Sequence, residues 1–367
     1  MRLLYLTDRL SHRGGAPNHL IELIADMAES NKIIIASSGL DKDVALPPEV
    51  THVKVAGLRA GTKRDQGLAR LPELLAGADV VHLQNIMNPA AIQMAKKRPC
   101  IATIQDHRVF CPGPGRTLPD DHQCTSVMEN APCELCIPND EQRFRMSSIT
   151  DARQHALRGI PLIVLSAYMA DEMELAGFQR PSIIPPRIHV GPPKQEPGNG
   201  FLMAGRLVHH KGIDLGYRAW KVANTDHALR IAGLGPASEQ TPEAENLGWL
   251  SDTELQEQIQ SARALIFPSR WQEPYGIIGV ESLANGTPVI AMKRGGMGDW
   301  MDTGCISIQP SDVHGMAAAI ELLGNRPQIA LNMGLAGQAM MRHRQHTQQP
   351  TERIRTLYQK TKSLAST

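Results

Sequence analysis

The stretch Ala264–Gly286, reading ALIFPSRWQEPYGIIGVESLANG, constrains the fold more than any other part of the chain. Ala264, Leu265, Ile266 and Phe267 have the length of a buried strand, Pro268 and Ser269 stop it, and Gly276 opens a segment with apolar residues at helical spacing (Ile277, Val280, Leu283, Ala284). A strand, a tight loop and a helix start in that order leave unpaired backbone N–H groups, and the positive end of a helix dipole, at the carboxyl edge of a sheet. Phosphates bind there in open α/β folds. Two carboxylates flank the turn: Glu273 in the loop and Glu281 about a turn and a half into the helix. Bare carboxylates repel a phosphate at contact distance but accept hydrogen bonds from neutral hydroxyls, so the ligand suggested is a phosphorylated sugar.

The rest of the chain repeats this plan. Strand candidates at Leu3–Leu6, Lys32–Ala36, Thr51–Val55, Val80–Leu83, Cys100–Ile104 and Leu162–Leu165 alternate with helical stretches, and after the first comes a loop with Gly14 and Gly15. That alternation predicts an α/β protein with parallel sheets covered by helices. The loop lacks the full G-x-G-x-x-G, which weakens a dinucleotide-dehydrogenase reading; its two glycines suit either a close phosphate approach or a simple turn. A chain of 367 residues exceeds what one core usually supports, so two domains are expected. The break falls in Pro181–Gly200, PSIIPPRIHVGPPKQEPGNG, which is dense in proline and glycine. The expected division is residues 1–185, a hinge at 186–199, a second domain at 200–345 and a last helix at 346–367 with Ile354, Leu357 and Tyr358 on one face.

Composition excludes several classes. A formal net charge of +1 argues against nucleic acid as the main partner. No apolar run approaches a membrane span and the first ten residues are too quickly polar for a signal peptide, so the expected compartment is the cytoplasm. The basic stretch between Lys54 and Arg70 is a solvated loop, or a contact for an anionic acceptor or a membrane surface.

Four of the six cysteines, Cys111, Cys124, Cys133 and Cys136, fall in one Pro- and Gly-rich segment, 111–136. A C-x-x-C pair with two further cysteines suits a tetrahedral thiolate site, most simply structural zinc, with an iron–sulfur cluster as the second metal and free thiols as the alternative to both. Cys100 and Cys305 read as small core residues.

In the second half, Phe201–Ala204 and Leu229–Ala232 are strand candidates and Pro288–Met292 is another. Arg206 and Lys211 follow the first of them, two cations placed to pair with a diphosphate. Ser251 and Glu254 form a capping-box signature at a helix start.

These motifs carry a family resemblance. Gly205-Arg206 with Lys211-Gly212, G-x-x-S-D-x-E-L at Gly248–Leu255, P-S-x-x-x-E-P-x-G-x-x-x-x-E at Pro268–Glu281, and N-G-T-P-V-I-A with a glycine pair across Asn285–Gly296 together resemble glycosyltransferase family 4. The resemblance implies a GT-B fold, two Rossmann-like domains with parallel sheets facing across a cleft, and sugar transfer from a UDP- or GDP-sugar with retention of configuration and no catalytic metal. It implies an unidentified acceptor in glycan, glycolipid or small-molecule glycoside synthesis. By motif position, Arg206 and Lys211 would hold the diphosphate, Glu281 the ribose and Glu273 the transferred sugar. The backbone of Tyr275, Gly276, Ile277 and Ile278 would meet sugar and phosphate, with Gly248, Trp249 and Leu250 beside the base. The last helix would cross back to the first domain.

In the first half the resemblance is looser. Gly14-Gly15 matches a family glycine pair, and the cysteine segment resembles one found in a subset of the family, with Pro112 after its first cysteine. Thr103-Ile104-Gln105-Asp106 resembles T-x-H-D, with Gln105 where histidine is usual, and Gln84 likewise replaces a histidine. Gln105 keeps hydrogen-bonding capacity without the cation, and Gln105 and Asp106 remain site candidates. His107 is a surface or loop histidine, or a substitute that swings into the site. A non-catalytic nucleotide-sugar-binding or metal-containing regulatory protein is the alternative function.

Overall fold

The apolar runs become the strands of two parallel sheets, and each sheet organises one unit of the chain. The computed structural model describes residues 1–59, 67–86, 88–126, 132–237 and 241–364. One unit comprises Met1–Pro119, Gln123–Arg187 and Gln349–Thr367; the other comprises Asp120–His122 and Ile188–Gln348.

In the first unit the strands are β1 (Arg2–Thr7), β2 (Lys32–Ser37), β3 (Thr51–Lys54), β4 (Val80–Gln84), β5 (Cys100–Ile104), β6 (Leu162–Val164) and β7 (Ser182–Ile183), in the order β3-β2-β1-β4-β5-β6-β7. Every residue of β4 and β5 is buried, as expected of central strands covered on both faces. In the second unit β8 (Phe201–Ala204), β9 (Leu229–Ala232), β10 (Glu245–Gly248), β11 (Ala264–Phe267), β12 (Val289–Met292) and β13 (Cys305–Ile308) follow the order β10-β9-β8-β11-β12-β13. Both sheets are the expected doubly wound α/β type. In each, strand order reverses once, between β1 and β4 and between β8 and β11. Loops leaving the carboxyl ends of those neighbours diverge and open a crevice, the usual ligand position of such sheets.

Three strands escape the sequence pattern, β7, β10 and β13. Each is an edge strand bonded on one side only, which relaxes the demand for continuous apolar residues and admits Ser182, Asn246 and Ser307. The Pro-rich stretch 181–200 is hydrogen-bonded along part of its length, and the boundary between the units falls within it, after Arg187. Its start supplies β7, and later Gly191 N donates to Ala284 O (3.1 Å), Lys194 Nζ to Ala262 O (2.7 Å) and Asn199 N to Ser261 O (2.8 Å). Of the basic stretch at 54–70, positions 60–66 lie outside the described residues. Among the described residues no helix is long and apolar enough to cross a membrane.

The helix Pro350–Leu364 belongs to the first unit. Ile354 and Tyr358 are buried in the core formed by β1 and the helix Gly15–Ala28, with Tyr5 and Ile24. Tyr358 Oη lies 2.8 Å from Tyr5 Oη and 2.7 Å from His82 Nδ1, while His82 Nε2 meets Thr103 Oγ1 at 2.7 Å. A buried polar chain thus fastens the last helix to β1, β4 and β5. Removing one hydroxyl strands its partners away from water, which costs about 1–3 kcal/mol. Tyr358→Phe should therefore lower unfolding stability by about that amount in urea titrations with little change in far-ultraviolet circular dichroism; wild-type stability would show that the hydroxyl chain does not hold the helix.

Candidate functional site

The second unit's crevice is built from two loops that touch. After β8 the chain runs through Gly205 and Arg206 into a short turn, His209–Lys211, and then Gly212 at φ 68°. A Cβ on Gly212 would stand 1.9 Å from the carbonyl oxygen of Pro268, so only glycine lets this loop lie against the exit of β11. The amides of Arg270 and Trp271 each donate to His210 O at 3.0 Å, lacing the loops together. Arg270 is a structural anchor that no motif singled out: its guanidinium grips both oxygens of Asp214 at 2.6 Å, on the helix Ile213–Val222.

Within this frame Lys211 Nζ donates to Glu273 Oε1 at 2.7 Å, and Ser269 Oγ donates to the same oxygen at 2.7 Å. Glu273 is 3% exposed. The lysine also lies over the Trp271 ring, 4.8 Å from its centroid. Two expected site residues are therefore in direct contact. Arg206 is exposed on the same loop as Lys211. His210 is held down to about 4 by burial and by the charges of Lys211 and Arg206, against an opposing pull from Glu273. One histidine thus senses three of the charged candidates.

Beyond Glu273, the backbone of Tyr275 is fixed by Trp300 Nε1, which donates to its carbonyl at 2.6 Å. Gly276, at φ 82°, starts the helix Ile277–Ala284, and no side chain caps it. The N-cap glycine thus offers no side-chain acceptor to the leading amides of Ile277 and Ile278, which suits an anion site. Gly296 N donates to Glu273 O at 2.7 Å, bringing the exit of β12 to the same loop. Glu281 lies half-buried further along that helix. Gly248 ends edge strand β10, followed by half-buried Trp249 and Leu250 and by the expected capping box of Ser251 and Glu254.

The first unit has its own crevice at the carboxyl ends of β1, β4 and β5. Gly14, at φ 128°, precedes the helix that begins with Gly15. Gln105 is buried, its Nε2 3.1 Å from Gln84 Oε1 and 3.2 Å from His19 Nδ1. Asp106 has its oxygens committed: Oδ1 accepts from Arg108 N (2.9 Å), Oδ2 from Arg108 Nε (2.8 Å) and Asn85 Nδ2 (3.0 Å). That network holds the Asp106 carboxylate between Arg108 and Asn85. His107 is not a surface residue: it is 2% exposed, packed edge-on to Phe110, with Nε2 3.0 Å from Tyr168 Oη. The 3-10 turn His107–Val109 is capped by Asp106, whose side chain accepts from Arg108 N. Sequence reasoning passed over His19, which only the fold brings beside Gln105.

Cys111, Cys124, Cys133 and Cys136 carry free thiols and line one small cavity. Arg116 N donates to Cys111 Sγ at 3.4 Å. Among the described residues, no three His, Cys, Asp or Glu side chains are gathered closely enough to hold a metal ion.

The class these features define is an α/β protein of GT-B fold, with two parallel-sheet Rossmann-like domains. Solved structures agree at the level of fold: sucrose-phosphate synthase from Thermosynechococcus elongatus (TM-score 0.70, 16% identity, 100% of both chains covered) and Anabaena HepE in complex with UDP (TM-score 0.68, 14% identity, 100% of both chains covered). More particularly, residues 186–340 match the family model for Glycosyl transferases group 1. Glycogen synthase of Mycobacterium tuberculosis is 30% identical over 145 residues, 35% of each chain. The match thus spans about a third of that relative's length.

Burial sets the pH response of the first unit. Desolvation lowers His19 to about 4, and His82 and His107 to about 3, from the ordinary 6.5. The folded state holds all three neutral while the unfolded chain binds protons below 6.5, so their contribution to stability is full above pH 6.5 and declines as the medium is acidified toward 4. Each adds a slope of about 1.4 kcal/mol per pH unit in that window. Unfolding titrations should show stability falling steeply between pH 6.5 and 4, with a shallower fall in His107→Phe; an unchanged slope in that variant would contradict a neutral buried His107.

Proposed function

We propose that the protein transfers a sugar from a UDP- or GDP-sugar to an acceptor hydroxyl with retention of configuration, in the synthesis of a glycan, glycolipid or small glycoside. The observation that carries this reading is the Lys211–Glu273–Ser269 cluster at the β8/β11 switch point, beside an uncapped helix start. The group 1 domain match covers the same residues, and one structural neighbour was solved with UDP.

Cleavage of the bond from anomeric carbon to diphosphate builds positive charge on the sugar and negative charge on the leaving group. Arg206, Lys211 and the amides of Ile277 and Ile278 would answer the negative charge. Glu273 Oε1 already holds Lys211 and Ser269, so Oε2 would take a hydroxyl of the transferred sugar. Glu281 would take the ribose, and Gly248, Trp249 and Leu250 would border the base. In the first unit, Gly14 and Gly15 would let the backbone approach a phosphate and Gln105 would meet a hydroxyl. Zinc on the four cysteines is a separate proposal; it requires the sulfurs to draw together, and purified protein should then carry about one equivalent per chain. Under half an equivalent would refute it.

Magnitudes select the informative variant for activity. Lys211→Ala would strand the buried Glu273 carboxylate, at about 3–5 kcal/mol of stability, and would confuse folding with function. Arg206 is exposed, so Arg206→Ala should leave stability unchanged while lowering turnover about a hundredfold, the scale of one lost electrostatic contact at a developing charge. Donor preference is read first from thermal stabilisation by UDP-, GDP- and ADP-sugars, then turnover from release of free sugar. Binding without slow donor hydrolysis would favour the non-catalytic reading that Gln105 raises; normal turnover in Arg206→Ala would remove that arginine from the site.

A further inference from the structure

One hydrogen-bonded chain of side chains runs through the first unit from its last helix to the carboxyl edge of its sheet. Tyr5 on β1 stands beside His82 on β4, and Gln84 on β4 stands beside Thr103 on β5. The spacing of two between His82 and Gln84 puts all four on one face of the sheet. Tyr358 joins them from the helix Pro350–Leu364, and Gln105 and His19 extend the chain beyond β5. Every member is buried, so its donors and acceptors must be met within the chain, and each proton has few places to go.

Amide nitrogens only donate, and that gives the chain a direction. Gln105 Nε2 commits its protons to Gln84 Oε1 (3.1 Å) and His19 Nδ1 (3.2 Å). With its oxygen so engaged, Gln84 turns its own Nε2 to His82 Nε2 (3.1 Å) and Thr103 Oγ1 (3.4 Å). His82 Nε2 is therefore an acceptor. Burial keeps this ring neutral, so its single proton is on Nδ1, donated to Tyr358 Oη at 2.7 Å. By the same rule His19 Nδ1 accepts, and the His19 proton is on Nε2. The two histidines hold opposite tautomers. One acceptor is left over: Gln105 Oε1 is buried with no hydrogen-bond partner, on a residue that lines a cavity of about 480 Å³. An unmet buried acceptor is costly, so this oxygen is suited to a donor brought by a ligand. Turning over either amide would set like groups face to face unless the other turned too, and would drive the His82 proton to Nε2.

We propose that Gln84 is a positioning residue for glycosyl transfer: it locks the Gln105 amide so that Gln105 meets a sugar only as a hydrogen-bond acceptor, through Oε1, and selects a hydroxyl donor there. That the ligand is a sugar rests on the glycosyl-transfer reading; the orientation of the amides and histidines does not.

Long-range proton–nitrogen correlation spectra of the full chain with isotope-labelled histidine, at mildly alkaline pH, read both tautomers. Wild type should show His82 protonated on Nδ1 and His19 on Nε2. Gln105→Glu offers Gln84 only acceptors, so Gln84 must turn over to donate, and the His82 proton should move to Nε2 although nothing touching His82 was substituted. A Gln84 that merely fills space would transmit no such change. His82 protonated on Nε2 in wild type, or left on Nδ1 in Gln105→Glu, would overturn the orientation; the wild-type spectrum decides alone if the variant does not fold.

The positioning role is read from kcat/KM for release of free sugar from whichever of UDP-glucose, GDP-mannose and ADP-glucose the protein hydrolyses. Gln84→Met and Gln105→Met should each lower it about tenfold, the scale of one well-made hydrogen bond. The double variant should be no slower than Gln105→Met alone, because Gln84 acts through Gln105. Losses that multiply in the double variant, or an unchanged kcat/KM in Gln84→Met, would overturn the role. Hydrolysis with the wrong tautomers sinks this inference alone. Absence of hydrolysis in wild type sinks the transferase reading, and the sugar with it, while the tautomer spectra still decide the amide orientation.

Discussion

The second unit's crevice depends on one ion pair placed where a parallel sheet opens. Lys211 and Glu273 come from loops after β8 and β11, adjacent strands whose outgoing chains diverge. A buried carboxylate at that position would be intolerable alone, and the lysine, the Ser269 hydroxyl and the amide of Gly296 on the Glu273 carbonyl hold the loop in one geometry. The pair fixes where a ligand's charge and its hydroxyls can sit. Opposite charges a hydrogen bond apart offer a donor for phosphate and an acceptor for sugar in one small volume.

That constraint explains why the second unit was the more legible half. Its residues are contiguous apart from 120–122, and its functional groups sit within a few positions of a strand end or helix start. Pro268, Gly276 and Gly212 are read directly from backbone requirements, and Lys211 and Glu273 stand at fixed offsets from them. The first unit was less transparent, because its polar network joins groups far apart in the chain. His82 with Tyr358, and Gln105 with His19, meet only after the sheet has formed. No local spacing announces such pairs.

The edge strands mark a second limit of sequence reading. Central strands such as β4 and β11 are covered on both sides and must be apolar throughout. At the margins, β10 uses Glu245 and Asn246 and escapes the pattern, yet Gly248 at its end occupies one of the candidate ligand positions. His107 shows the converse: a residue directly after a motif is buried against Phe110 and Tyr168, partners that its position in sequence does not announce.

The return of the helix Pro350–Leu364 to the first unit has a consequence for biosynthesis. The second unit can assemble from an almost unbroken run of chain as soon as Gln348 leaves the ribosome, while β1 must wait for Tyr358 to complete its surroundings. Until then the sheet lacks the apolar cover that Ile354 and Tyr358 give to Tyr5 and Ile24.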